Sequence, residues 1–174
     1  MIHVRALDPR DAAAYRELRL YAVKTEGELF GPWYEDELAF PPEYWTDRVM
    51  ETPERCLFGL FDTFRLVGSM SVRRHEADPS GKTALWSAAF IHRDYRGQGH
   101  GEDLYSAREA WTIDHGYTTV AVMVHADNAR STEIIVKRGA VRVSSELNAW
   151  PGRHKGPWHW YHLALSQAAT MRVA

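Results

Sequence analysis

The chain has 174 residues, 45% of them hydrophobic and 25% charged, with a formal net charge of -2. That balance fits one globular domain over residues 1–174 with a sizeable core, and no basic stripe advertises nucleic acid or an anionic membrane surface. Cys56 is the one cysteine, which excludes an internal disulfide and fits a reducing cytoplasm.

The start, Met1-Ile2-His3-Val4-Arg5, reads as a mature domain rather than a signal peptide, and no apolar run approaches the ~18 residues of a membrane span. Residues 2–6 predict a short strand. Asp8-Pro9-Arg10-Asp11 predicts a helix start, with Asp8 as cap and Pro9 in the first turn. Tyr15, Leu18 and Ala22 then share one apolar face up to Lys24. Residues 26–40 read as irregular, broken by Gly27, Gly31 and Pro32 and mixing aromatic with acidic side chains. Pro41-Pro42 opens a second helix through Trp45 and Val49. Residues 56–62 and 65–74 predict a hairpin, and Asp78-Pro79-Ser80-Gly81 a loop before a strand over 82–91.

After that strand come Gly97, Gly99 and Gly101 at alternate positions, behind Arg96 and before a helix predicted over 102–115. A glycine-rich turn from strand into helix leaves backbone N–H groups unpaired. It adds the positive end of the helix dipole and lets a phosphate approach closely. The spacing is neither G-x-G-x-x-G, with no glycine at 102 or 104, nor a P-loop, with no Gly-Lys-Ser/Thr. It is R-x-x-G-x-G, and a β–α turn without a ligand is the plain alternative.

Leu104, Ala107 and Trp111 anchor the following helix, which Gly116 stops. Residues 118–124 are nearly all Val, Ala and Met, as in a strand covered on both faces. Asp127-Asn128 opens another helix through Ile134, Ile135 and Val136, with Lys137 and Arg138 in its last turn and Gly139 at its end. Residues 140–147 and 158–165 are two closing strands, and 166–174 read as a frayed tail.

Arg96, Gly99 and Gly101, followed by Val124-His125-Ala126-Asp127-Asn128-Ala129-Arg130-Ser131 and Lys137-Arg138-Gly139-Ala140, resemble the motifs of the Gcn5-related N-acetyltransferases (GNAT). Leu18-Arg19-Leu20 and residues 30–37 resemble the acceptor-side segment of that family. The resemblance spans most of the chain. It implies a single-domain α/β fold: a mixed, mostly antiparallel seven-stranded sheet, splayed in the middle, with helices on both faces. It also implies acetyl-CoA as co-substrate, no metal, and transfer of an acetyl group to a primary amine by direct attack on the thioester. The backbone of Ala89, Phe90 and Ile91 would pair with the pantetheine arm. Arg96, Gly97, Gln98, Gly99, His100 and Gly101 would cradle the diphosphate. Asn128 and Ser131 would lie beside the pantetheine, with a plain N-cap as the alternative for Asn128.

The chain departs from the family pattern twice. A tyrosine that many members place seven residues after the Asn128 position, as acid to the thiol, is Ile135 here. A glutamate often found before the glycine turn is absent, its region being Trp86, Ser87, Ala88 and Ala89. His125, at a strand end beside the expected split, is the catalytic candidate; the alternative is a histidine bonded to backbone. Glu28 and Tyr161 are further titratable candidates. Glu28, Trp33 and Tyr34 are candidates to bind a cationic amine through charge and cation–π contact, against a solvated flank with buried aromatics. Trp150, Trp158 and Trp160 are candidate walls of an acceptor pocket, and the face of Trp158, Trp160 and His162 suits packing or a homodimer interface as an alternative. His154, His159 and His162 lack the spacing of a zinc site. The expected partners are acetyl-CoA and a small-molecule amine, without nucleic acid or membrane. Two other functions stay open: a coenzyme A-binding module without catalysis, and a protein N-terminal or lysine acetyltransferase.

Overall fold

Two aspartates begin the helical part of the chain. Asp8 accepts from the Arg10 N–H at 2.9 Å, and Asp11 accepts from the Asp8 N–H at 2.9 Å. This reciprocal capping box satisfies donors that a helix start leaves bare. The two Arg5 Nη atoms clamp Asp11 at 2.7 and 2.8 Å and hold its carboxyl below the usual range.

The computed structural model describes residues 1–147 and 156–165. Trp150, His154 and the tail expected over 166–174 lie outside the described residues. The helices are α1 (Ala12–Thr25), α2 (Tyr34–Leu38), α3 (Pro42–Val49), α4 (His100–Asp114) and α5 (Ala129–Lys137). The strands are β1 (Ile2–Ala6), β2 (Arg55–Asp62), β3 (Arg65–Arg74), β4 (Thr83–Ile91), β5 (Thr119–His125), β6 (Val141–Glu146) and β7 (Trp158–Ala164). Helix α2 falls in the stretch that composition marks as irregular. Its first turn holds Glu35, Asp36 and Glu37, which suit the positive end of a helix. Glu37 turns inward to Arg19 of α1, with Nε–O distances of 3.0 and 2.8 Å and an Nη2–Oε1 distance of 2.7 Å. A long-range ion pair, which local pattern cannot reveal, therefore fixes this helix.

The strands form one sheet in the order β1-β2-β3-β4-β5-β7-β6. Every neighbouring pair is antiparallel except β4 and β5. That parallel pairing joins only Thr83–Trp86 to Thr119–Val122. Beyond this seam the two strands part. On its other edge β4 shifts register against β3 between Ser69 and Ser71, and Ala88 adopts a φ of 51°. A bulge of this kind bends its strand and re-aims the side chains beyond the bend.

Alternation along the strands builds a core on each side of the sheet. Leu60, Val72, Trp86 and Val120 pack with Leu104 of α4. Leu57, Phe61 and Phe90 pack with Tyr15 of α1 and Trp45 and Val49 of α3. Each such buried side chain contributes about 1.5–3 kcal/mol. A smaller cluster of Val124, Ile135, Ala140 and Tyr161 seats α5. Arg108 is buried with its guanidinium 4.0 Å from the Trp86 ring and 4.7 Å from the Tyr105 ring. Arg138 covers the Tyr105 ring at 4.1 Å, so two cations and two aromatics alternate in one stack. Burial brings the Arg108 pKa down to about 10, which leaves it charged at neutral pH.

Cys56 is buried at the start of β2, and desolvation, helped by the nearby Glu51 carboxylate, pushes its pKa up to about 12. Thiolate is the reactive form. Native protein at pH 8 is therefore expected to resist a thiol reagent that labels it rapidly in urea. Equal rates in both states would contradict the burial.

Candidate functional site

The parting of β4 from β5 opens a groove of about 380 Å³. Its walls come from the end of β4, the turn into α4, the start of α5 and the segment after α1. Among the described residues no backbone carbonyl accepts from the N–H groups of residues 97–101. Gly97 has a φ of 74° and Gly99, the N-cap of α4, a φ of 87°. These left-handed conformations turn the chain sharply into the helix, and only glycine adopts them without strain. A Cβ built on either residue meets nothing within 4 Å, so the turn faces open space. Unpaired donors, a helix N-terminus and an open approach make a cradle for an anion.

The groove gathers most of the residues that the sequence singles out. Ala89, Phe90, Ile91, Arg96, Gly97, Gly99, His100, Gly101, Asn128 and Ser131 all line it. Asn128 also caps α5, its Oδ1 accepting from the Ser131 N–H at 3.1 Å. Gln98 does not line it; its side-chain amide folds back onto the Asp94 carbonyl at 3.0 Å. The Phe90 ring packs with the α1-side core and touches Phe30 and Arg96 of the groove. The Ile91 carbonyl already accepts from Arg96 Nε at 2.7 Å. Arg96 Nη2 meets Glu26 Oε1 at 2.5 Å, so its guanidinium is engaged inside the protein.

The catalytic and acceptor candidates are placed differently. His125 ends β5 beside the split, as expected, but is 3% exposed and is not a groove-lining residue. Its Nδ1 accepts from the Asp127 N–H at 3.2 Å, and its ring meets Trp158 edge-on at 5.0 Å. Glu28 and Trp33 are exposed, Tyr34 lies 5.5 Å from Lys24 Nζ, and none of the three lines the groove. Tyr161 packs in the α5 core. Trp160 donates to Glu146 at 2.7 Å and stacks on His75 at 5.5 Å.

Sequence reasoning passes over Tyr105, Arg130 and Ile134, which also line the groove, as does Glu26 from the acidic stretch over 26–37. Helical spacing could have found two of them. Tyr105 follows Gly101 by four residues, and Ile134 follows Ser131 by three. Ile134 thus faces the groove while Ile135, at the family's tyrosine position, is 3% exposed in the core. Neither can supply a proton. Glu26 and Arg96 stand 70 residues apart, beyond any local pattern.

The chain matches the model of the Acetyltransferase (GNAT) family over residues 13–140, and it belongs to that family. Members use acetyl-CoA as acyl donor. Solved structures agree on the fold. A GNAT-family acetyltransferase from Streptococcus pneumoniae superposes with a TM-score of 0.79 at 13% identity, over 95% of this chain and 100% of that one. A GCN5-related N-acetyltransferase from Kribbella flavida gives 0.77 at 18% identity, over 94% and 98% of the two chains. A proposed acetyltransferase from Salmonella typhimurium, solved with its cofactor acetyl-CoA, gives 0.76 at 15% identity over 96% and 95%. No match to a curated protein sequence was found. No cluster of three or more metal-ligating side chains occurs among the described residues, and none of their helices is long and apolar enough to cross a membrane.

Proposed function

We propose that this protein is an N-acetyltransferase that moves the acetyl group of acetyl-CoA to a primary amine. The observation that carries the proposal is the glycine cradle at the floor of the groove between β4 and β5. The N–H groups of Gly97 to Gly101 hold the diphosphate, and the unpaired edge of β4 after Trp86 receives the pantetheine arm as an added strand would. Asn128 and Ser131 flank that arm from α5. Bound there, acetyl-CoA supplies an activated acyl group as its thioester.

The protein's own contribution is chiefly to hold two reactants in line, which can supply much of the acceleration. A lysine-like amine must also shed a proton, at a cost of roughly 4–5 kcal/mol at pH 7. Two carboxylates line the groove, and arginines hold both: Arg96 meets Glu26 and Arg138 meets Glu102. With both carboxylates engaged and His100 assigned to the diphosphate cradle, proton removal passes to water or to the amine's own equilibrium, and the optimum should lie on the alkaline side.

One observation favours a second reading, a coenzyme A-binding module without turnover. Aliphatic Ile134 and Ile135 stand where an acid for the thiol is expected. Incubating the protein with acetyl-CoA and a panel of primary amines, while following thiol release, separates the two. Turnover with any amine supports the transferase. Tight coenzyme binding without turnover on the whole panel supports the module.

A further inference from the structure

The Arg96 of an R-x-x-G-x-G turn is expected to serve the coenzyme, yet here its guanidinium is already engaged by the protein. Nε donates to the Ile91 carbonyl at 2.7 Å, Nη2 meets Glu26 at 2.5 Å, and the Phe90 ring lies 5.2 Å from the guanidinium carbon. Both side chains are largely sheltered, at 26% and 30% exposure. Glu26 is the residue that ends α1. From it runs a single turn, in which the Leu29 N–H donates to the Glu26 carbonyl at 2.9 Å and the Phe30 N–H to the Gly27 carbonyl at 3.1 Å. Leu29 and Phe30 form a wall of the groove, and the Phe30 ring tilts against Phe90 at 6.3 Å.

We infer that Glu26 is a positioning residue of the coenzyme groove and that Arg96 acts through it, bracketing the Leu29–Phe30 wall against the glycine turn. Three anchors meet at one guanidinium: the end of β4, the end of α1 and the aromatic face of Phe90. Without the bracket the backbone of the wall is held by one turn containing Gly27, and Phe30 keeps only its packing against Phe90 and Arg19. A bare Glu26 carboxylate beside the cradle would also repel the phosphates that the cradle receives. The inference rests on the coenzyme site proposed above, but its first readout needs no coenzyme.

The test uses the full chain as wild type, Arg96→Gln, Glu26→Gln and the double variant. Amide hydrogen exchange at Leu29 and Phe30 is read in the free protein, and binding of coenzyme A by calorimetry. Each single change is expected to speed exchange about tenfold and to weaken coenzyme A about three- to tenfold. The double variant should be no worse than either single one, because both remove the same interaction. Arg96→Lys keeps the charge but cannot span both acceptors, so it should restore less than half of the lost protection. Unchanged exchange in both singles would overturn the bracket. So would Arg96→Gln weakening coenzyme A while Glu26→Gln tightens it, since Arg96 would then grip phosphate directly with Glu26 as its competitor. If wild type binds no coenzyme A, the proposed function falls, and the exchange data still decide whether the bracket exists.

Discussion

Replacing Gly99 with valine is expected to weaken coenzyme A binding by at least about a hundredfold, or about 2.7 kcal/mol. Gly99 holds a φ of 87° at the first turn of α4. A β-branched residue resists that conformation by roughly 1–2 kcal/mol and re-aims the neighbouring N–H groups when it relaxes. Its side chain also projects into the space the phosphates need, since nothing in the protein fills it now. Gly101 shares the cradle but not the conformation. It is helical without a positive φ, and a Cβ there meets only Ile91 Cδ1 at 3.6 Å. Gly101→Ala should therefore raise stability by roughly 0.5–1 kcal/mol, as alanine for glycine does inside a helix. Calorimetry on Gly99→Val is the decisive measurement, and undiminished affinity would remove the cradle from consideration.

Replacing Glu37 with alanine is expected to cost about 3–5 kcal/mol of unfolding free energy, a large part of the stability of an ordinary domain. The Arg19 guanidinium is 6% exposed and its carboxylate partner 2% exposed. Removing one member strands the other charge in the interior, where the Phe30 ring lies 4.9 Å from the Arg19 guanidinium carbon. Because the penalty belongs to the orphaned charge, Arg19→Met combined with Glu37→Leu should recover most of the loss. Urea denaturation of the single and double variants checks both statements. A loss below about 1 kcal/mol in Glu37→Ala would mean that water reaches the pair, as it does for surface ion pairs.

The strands and long helices were legible because their signals are local. Alternation marked β2 and β3, which appear within one residue of the predicted limits, and glycines marked the ends of α4 and α5. The glycine turn was legible as a turn too, since the positive φ of Gly97 and Gly99 demands glycine's backbone freedom. What stayed hidden depends on distant partners. Helix α2 exists around Glu37, whose mate lies on α1. Arg96 was assigned to phosphate by motif, while Glu26 engages it from across the chain. His125 carried the right position along its strand, but sequence could not show that its ring turns into a buried contact with Trp158. The acceptor candidates Glu28, Trp33 and Tyr34 failed to converge on the groove for a similar reason. Their chemistry suits an amine, but composition carries no information about direction.

The seam between β4 and β5 has a mechanical corollary. Four rungs, from Thr83–Thr119 to Trp86–Val122, stitch the two half-sheets together, and past them the strands diverge like the legs of a pair of compasses. A slender molecule lodged in that fork would touch the end of β4 on one side and the start of α5, which follows β5, on the other. The pantetheine arm proposed to lie there would act as a rivet, and the protein should melt at a higher temperature when saturated with coenzyme A than when empty.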